Sequence, residues 1–428
     1  MIQLTLSGHD DRYAVEQLLL SLFPEGAQVQ AVSALHRGQT WLTATAKIAL
    51  DGRTVSASRR IRAAEETVRL RRRALQQSVY LAAVQLLPQE PAWGALAGVR
   101  PTKLTTKCLL EGGTPKSAEK LLKDVYFVTP QRRRLAVDCS VSTVEAVHKT
   151  QPSDVSVYVG IPFCPTRCAY CSFVSQSVEK SMKLIPPFLE ALHQEIRATA
   201  AEIRALGLRV ISVYMGGGTP TTLSAEQLDR LCTALENEFD LSRIREYTVE
   251  AGRPDTITVE KLQVLRRHGV DRVSVNPQTM SDTVLEAIGR RHSAADIVSA
   301  LEKVRRVGGF AVNMDLIAGL PTDTVQGFVN TVDQVLALSP ENVTVHTLSL
   351  KKGSRITLEG SALPTAAEVG AMLDIAQEKL RAADYAPYYL YRQKFMSGGF
   401  ENVGWSREGY INLYNICNNT KNSGIAVL

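Results

Sequence analysis

Tyr158-Val-Gly-Ile-Pro-Phe-Cys-Pro-Thr-Arg-Cys-Ala-Tyr-Cys-Ser-Phe173 is a short apolar run that ends in a cluster of thiols. It gathers three of the chain's seven cysteines, Cys164, Cys168 and Cys171, in a C-x3-C-x2-C spacing, with Tyr170 just before the last. Thiolates this close point to a metal. A structural zinc site needs a fourth thiolate or imidazole at similarly short spacing, and the nearest downstream histidine, His193, lies well beyond that distance in a helical pattern. Three thiolates suffice to hold a [4Fe-4S] cluster with one iron left open to an external ligand. Zinc and three incidental buried thiols are the alternatives.

Outward from this stretch, strand and helix patterns alternate. Strands are expected at Val155 to Phe163, Val210 to Gly216, Tyr247 to Ala251, Arg272 to Asn276, Ala311 to Ile317 and Asn342 to Leu350. Helical spacing fills the intervals at 183–205, 224–238, 258–268, 281–288, 294–307 and 325–337. Six strands in tandem with helical crossovers predict a parallel sheet wound right-handedly, an α/β partial (β/α)6 barrel over residues 151–355.

In such a sheet the functional groups belong just past the carboxyl ends of the strands. The thiols follow the first strand and Gly216-Gly217-Gly218-Thr219-Pro220-Thr221 follows the second. Glu250 ends the third, Gln278 follows the fourth, and Asp315 lies near the end of the fifth. Features at one end of five successive strands read as one site. The glycines let backbone groups approach a ligand with no Cβ in the way. Their run lacks the Lys-Ser/Thr of a phosphate-binding loop, which argues against a nucleoside triphosphate.

The C-x3-C-x-aromatic-C signature after a short apolar strand resembles that of the radical S-adenosylmethionine (SAM) superfamily. Val273-Ser-Val-Asn-Pro-Gln278, Ala287-Ile-Gly-Arg-Arg-His292 and Asn313-Met-Asp-Leu-Ile-Ala-Gly-Leu-Pro321 are similar, in that order, to segments of its oxygen-independent coproporphyrinogen III oxidase family. The resemblance covers residues 150 to 415 and lies towards the HemZ-type coproporphyrinogen dehydrogenases, whose N-terminal extension resembles this one, including Gly98-Val-Arg-Pro-Thr-Lys103. It implies that Cys164, Cys168 and Cys171 ligate a [4Fe-4S] cluster whose open iron chelates SAM. It implies further that Gly217, Gly218 and Thr219 meet the methionine moiety and that Glu250 receives the ribose hydroxyls. Gln278, Arg290 and Asp315, with Tyr158 and Tyr170, complete that site, and an arginine can grip a carboxylate in a bidentate fork.

The reaction implied is oxidative decarboxylation of two propionates of coproporphyrinogen III to vinyl groups, giving protoporphyrinogen IX. A radical takes a hydrogen from a propionate carbon, and an acceptor takes the remaining electron as CO2 leaves. The implied partners are a tetrapyrrole substrate and a reducing protein such as flavodoxin or ferredoxin. Arg253, Arg290, Arg291, Lys351, Lys352 and Arg355 lie near predicted strand ends, where cations could meet the substrate's carboxylates. The aromatic-rich segment Tyr385 to Tyr414, with Trp405, is expected either to cover the barrel mouth or to form a packed β-layer. The competing functions are a haem-binding chaperone on the same scaffold and a radical SAM methyltransferase or RNA-modifying enzyme.

The chain departs from the family pattern at several positions. Gly160 stands where those enzymes have histidine, and Phe173 stands where they have a fourth cysteine. Glu401-Asn-Val-Gly404 precedes Trp405 in place of the His-Asn of the haem chaperones. After Tyr414-Asn415 the sequence turns polar and aperiodic, so residues 356–428 are read as an altered or truncated C-terminal segment.

At 428 residues with 45 % apolar content, the chain has the length for two or three domains. No signal-like N-terminus and no membrane-spanning apolar stretch is present, which predicts a cytoplasmic protein whose other cysteines, Cys108, Cys139, Cys232 and Cys417, are free thiols. The net charge of +6 is uneven: residues 1–150 carry +8 and the remainder −2. The first 150 residues are therefore read as a basic α/β domain with strands at Ile2 to Leu6 and Thr40 to Ala49, a helix at Tyr13 to Leu22, and a basic helix or helix pair over 56–87. A further helical run is read from Ser117 to Val125. The arginine clusters at 59–62, 71–73 and 132–134 are taken as solvated helix faces, not as a nucleic-acid footprint.

Overall fold

The computed structural model describes every residue except 1, 24–25, 99, 172–175, 350–353, 355, 357–361, 393–398 and 421–423. The chain divides into two compact units, the first built on residues 1–137 with Arg392, Gly399 and Phe400, the second on 138–391 and 401–428. None of the described helices is long and apolar enough to cross a membrane.

The first unit opens with β1 (Ile2–Ser7), α1 (Arg12–Leu22), β2 (Val29–Arg37), β3 (Trp41–Leu50), β4 (Arg53–Arg62) and α2 (Val68–Ala83). The strands form one sheet in chain order, β1 parallel to β2 and the later pairs antiparallel. Leu18 and Leu19 of α1 and Leu75 and Val79 of α2 bury their side chains with Ala44, Ala46 and Ile48 of β3. Helices α3 (Thr102–Leu110), α4 (Pro115–Tyr126) and α5 (Pro130–His148) follow.

Two expectations fail in this unit. Val29–Arg37 is a strand that the sequence reading passed over. Residues 56–87 also begin as a strand and not as a helix. In β4 the alternation that wins has period two: Val55, Ala57, Arg59 and Ile61 are half-buried while Ser56, Ser58, Arg60 and Arg62 are exposed. Nor are the arginine clusters uniformly solvated. Arg59 stacks over Phe127 with its guanidinium carbon 5.4 Å from the ring centre. Arg71 and Arg72 both bind the buried carboxylate of Asp11, at 2.8 and 2.7 Å. Arg132 is only 2 % exposed and lies over Phe400.

In the second unit the strands are β5 (Asp154–Ile161), β6 (Arg209–Gly217), β7 (Glu246–Gly252), β8 (Arg272–Val275), β9 (Ala311–Ala318) and β10 (Asn342–Thr347). The crossovers between them carry α6 (Ile185–Ala205), α7 (Ala225–Glu238), α8 (Val259–Arg267), α9 (Asp282–Ala287), α10 (Ala294–Val307) and α11 (Val325–Ala337). All six strands run parallel in chain order, the partial (β/α)6 barrel that the alternation predicts. Then come α12 (Ala366–Ala382), β11 (Ala386–Tyr391), β12 (Asn402–Ser406), α13 (Leu413–Thr420) and β13 (Gly424–Val427). β12 pairs antiparallel with β10 and β11 antiparallel with β12, so these two strands of the aromatic segment form a packed β-layer, while Tyr414 at its end stacks on Tyr214. β13 adds in parallel to the free side of β5.

Alternation along the strands divides the barrel into an apolar and a polar face. Val157, Val213, Val249, Val273, Val312 and Met314 are fully buried. The intervening positions carry Tyr158, Tyr214, Glu250, Ser274, Asp315 and His346. Period two thus turns these six side chains toward a single lumen.

The tail read as aperiodic is ordered by that lumen. The buried carboxylate of Glu246 accepts from the backbone N–H groups of Leu413 (2.6 Å) and Tyr414 (3.1 Å), which satisfies orphan donors at the start of α13. Asn412 donates to Thr248 and accepts from the N–H of Asn415. The sequence pattern hid this helix because its cap comes from a strand more than 160 residues earlier.

Candidate functional site

The cysteine loop is held by contacts from three directions. The Gly218 and Thr219 N–H groups each donate at 2.7 Å, to the carbonyls of Ile161 and Phe163. Ala169 donates its N–H to the carbonyl of Ile288. Arg253, 3 % exposed, clamps Asp255 through two hydrogen bonds of 3.0 and 2.8 Å and donates to the Thr166 hydroxyl at 2.6 Å. Thr219 brings its hydroxyl within 3.5 Å of Cys164 Sγ. By contrast, burial pushes the thiol pKa of Cys139 and Cys232 up, that of Cys232 to about 12, so these two behave as inert packing.

The glycine run has a tighter job than the sequence suggests. A Cβ on Gly218 would lie 2.6 Å from the Phe163 carbonyl oxygen and 2.9 Å from that of Ile161, so the missing side chain is filled by the cysteine loop itself. Gly217 adopts a φ of +103°, which an L-residue reaches only under strain. Gly218→Ala is therefore expected to displace the loop, cost about 1–3 kcal/mol of stability and lower the iron bound after anaerobic reconstitution. Iron assay with urea denaturation tests this, and full iron loading at unchanged stability would refute it.

Arg290 ties the loop to the barrel. It is 8 % exposed and donates to the Asn276 carbonyl (2.8 Å) and to the Tyr170 hydroxyl (3.0 Å), and it shares a hydrogen bond with the Cys168 side chain. Its Nε has no partner among the described residues, and neither do Asn276 Oδ1, Ser274 Oγ or the two ring nitrogens of His292. Burial, then the nearby Arg290 and Arg253 charges, push the His292 pKa down to about 4, so its ring is neutral.

A second group of residues faces the lumen. Tyr214 donates its hydroxyl to Glu250 at 2.5 Å, and the Gly217 N–H donates to the same carboxylate. Burial is the largest influence on Glu250 and raises its pKa to about 7; the Asp315 charge adds to the rise, while Tyr214, His346 and the Gly217 amide oppose it. Asn313 fixes Asp315 at 2.8 Å, and His346 Nε2 lies 3.7 Å from its other oxygen. Burial alone would raise the Asp315 pKa, but His346 with the Asn313 and Thr344 hydrogen bonds outweighs it and leaves a carboxylate below its usual range. Gln278 holds a φ of +68° because its N–H donates to the Asp315 carbonyl and its carbonyl accepts from Ile317. A non-glycine residue held there stores about 1–3 kcal/mol of strain, a common mark of functional positions. Tyr158, Tyr214 and Tyr414 stack together, with ring centres 4.3 Å apart for Tyr214 and Tyr414 and 6.1 Å apart for Tyr158 and Tyr214.

The sequence-derived residues thus fall into two adjoining groups. Cys164, Cys168, Cys171, Tyr170, Thr219 and Arg290 lie in or against the cysteine loop, Tyr158, Glu250, Gln278 and Asp315 lie along the lumen, and Gly217 and Gly218 join them; among the described residues the three thiols are not themselves gathered into a metal-holding group. Arg253 and Arg290, expected to be available for substrate anions, are instead committed to the loop. Arg291 is exposed, while Lys351, Lys352, Arg355 and Phe173 lie outside the described residues. Tyr214 and His346 are new to the site, and Tyr414, expected only as the end of the aromatic segment, joins the lumen. The signal for the first two was available, since Ser212-x-Tyr214-x-Gly216 and Asn342-x-Thr344-x-His346 alternate with apolar residues as Thr248-x-Glu250 does.

Comparison with known proteins gives the family and the fold. The radical SAM superfamily model matches residues 158–335. The chain is 40 % identical over 330 residues to the oxygen-independent coproporphyrinogen-III oxidase-like protein HemZ of Bacillus subtilis, covering 76 % of this chain and 66 % of that protein. It is 32 % identical over 264 residues to the heme chaperone HemW of the same organism, covering 60 % and 68 %. With coproporphyrinogen III oxidase, anaerobic 1 of Cereibacter sphaeroides it shares 27 % identity over 274 residues, 63 % of this chain and 56 % of the other. The chain thus spans about two thirds or less of the length of these relatives. Among solved structures, coproporphyrinogen III oxidase (HemN) from Escherichia coli shares the fold, with a TM-score of 0.53 at 24 % identity over 66 % of this chain and 65 % of that one.

Proposed function

Because this chain belongs to the radical SAM superfamily, in its oxygen-independent coproporphyrinogen III oxidase-like family, we propose that it oxidatively decarboxylates two propionates of coproporphyrinogen III to give protoporphyrinogen IX. Its cofactors are those of the superfamily, a [4Fe-4S] cluster and SAM.

The residues fit both groups. Cys164, Cys168 and Cys171 supply soft ligands at a spacing that leaves one iron open, and these three would hold the cluster. The buried polar atoms without partners, Arg290 Nε and Asn276 Oδ1 among them, are what a polar cofactor at the strand ends would satisfy. Gly217, Gly218, Thr219, Glu250, Gln278, Arg290 and Asp315, with Tyr158 and Tyr170, would hold SAM. When bound and reduced, the pair supplies a 5′-deoxyadenosyl radical that abstracts hydrogen from an unactivated carbon. The chain's own part is to position and to exclude water. Arg253 and Arg290 fix the loop, Glu250 offers a carboxylate to hydroxyl donors, and the stacked tyrosines cover one side of the lumen. A one-electron donor such as flavodoxin or ferredoxin would keep the cluster reduced.

The observation that carries the choice of substrate is the 40 % identity to the HemZ protein, which extends over 76 % of this chain. The likeness to HemW favours a second reading, a haem chaperone. Against it, Glu401, Asn402 and Trp405 are each 2 % exposed, so the segment before Trp405 presents no accessible ligand to a haem iron. The test is anaerobic: reconstitute with iron and sulfide, add reductant, SAM and coproporphyrinogen III, and follow 5′-deoxyadenosine and protoporphyrinogen together. Appearance of both is expected. Stable haem binding without decarboxylation would favour the chaperone, and 5′-deoxyadenosine alone would mean another substrate.

A further inference from the structure

A tetrapyrrole with four propionates brings four negative charges to a lumen that already contains Glu250 and Asp315. A carboxylate enters a partly buried site only if a charge or strong donors receive it. Among the described residues, the buried arginines beside the lumen already donate most of their N–H groups to protein partners, with only the Nε atoms of Arg290 and Arg272 left over. Arg253 serves Asp255 and Thr166, and Arg290 serves Asn276 and Tyr170. Arg272, at the amino end of β8, donates to Asn342 and to the carbonyls of Tyr410 and Ile411, and lies 3.9 Å from Glu246. Each of the three is 8 % exposed or less.

His346 differs from them. Its side chain is 26 % exposed, and its one close polar neighbour among the described residues is Asp315, with Nε2 to Oδ2 at 3.7 Å, just outside hydrogen-bond range. Asp315 is in turn held by Asn313, so the carboxylate stays fixed while the imidazole keeps room to adjust. Neighbouring strands bring the pair together, since β9 and β10 pair Asp315 with Thr344 and Ile317 with His346. An imidazole that turns one ring nitrogen to an aspartate presents the other on its opposite edge, where an N–H can donate to an anion.

We propose that His346, oriented by Asp315, is the carboxylate-recognition subsite of the lumen and receives one propionate of the substrate through its Nδ1–H. This rests on the tetrapyrrole reading above and adds the group that reads the substrate's charge. The role is binding, and Asp315 acts as its positioning residue.

The test uses the full chain, anaerobically reconstituted, as wild type, His346→Gln and His346→Lys. The probes are coproporphyrin III and its tetramethyl ester, titrated by fluorescence, with iron content and substrate-free 5′-deoxyadenosine formation measured on the same samples. Wild type should prefer the tetra-acid to the ester. His346→Gln should weaken the tetra-acid by about 30-fold, the lower end of what losing one partner of a buried charge pair costs, while leaving the ester affinity and the iron content unchanged. His346→Lys should restore most of the preference. Equal tetra-acid affinity in wild type and His346→Gln, or a wild type indifferent to esterification, would overturn the subsite alone. A wild type that binds neither probe would overturn the tetrapyrrole reading, and the subsite with it.

Discussion

Cys164→Ala is expected to yield a folded protein that binds no stable [4Fe-4S] cluster and forms no 5′-deoxyadenosine from SAM. Three thiolates already leave one iron without a protein ligand, so the loss of a second leaves the cluster with two protein anchors. The substitution removes little from the fold. Cys164 is half-exposed and its thiol accepts from the Thr219 hydroxyl at 3.5 Å, so the stability change should stay within about 1 kcal/mol. Cys108→Ala, in the first unit, serves as the control and should retain full iron. Visible absorbance, iron and sulfide assay, and product analysis check both variants, and retention of iron with SAM cleavage in Cys164→Ala would sink the iron-sulfur reading.

Glu250→Gln should separate cluster from cofactor. Iron content should be retained while SAM binds at least tenfold more weakly, because hydrogen bonds to a charged acceptor contribute about 1.5–3 kcal/mol. The same variant carries a pH signature. The Glu250 pKa lies at about 7 in the folded protein against an ordinary 4.5, burial being the main cause. Between those values the folded state keeps a proton that the unfolded state has released. Stability is therefore full below pH 4.5 and falls as pH rises towards 7, by on the order of 3 kcal/mol, then levels off. Glu250→Gln should remove that decline, so the cofactor-free variant is more stable than wild type at pH 8. SAM affinity in the wild type should rise through pH 7, as the carboxylate that accepts the ribose hydroxyls forms. Unchanged SAM affinity in Glu250→Gln would remove Glu250 from the cofactor site.

Much of this was legible in one dimension because it depends on local periodicity. The period-two pattern of the six barrel strands and the helical spacing between them are properties of short windows, and the strand-end rule then placed Cys164, Gly217, Glu250, Gln278 and Asp315 together. The same logic failed at Arg53–Arg62, where charged residues concealed an alternation that the pairing with β3 makes plain. It failed again at Leu413–Thr420, whose helix start is capped by Glu246 across the barrel.

The sequence by itself determined the barrel, the thiol cluster and the strand ends where polar groups converge, because each follows from neighbours along the chain. The tertiary structure alone decided what each group is available to do. It spends Arg253 and Arg290 on the cysteine loop, fills the space beside Gly218 with the Phe163 carbonyl, and leaves His346 loosely paired with Asp315. The physical reason is that a charge's availability depends on partners far away in sequence, and those partners are fixed only when the strands close into one sheet.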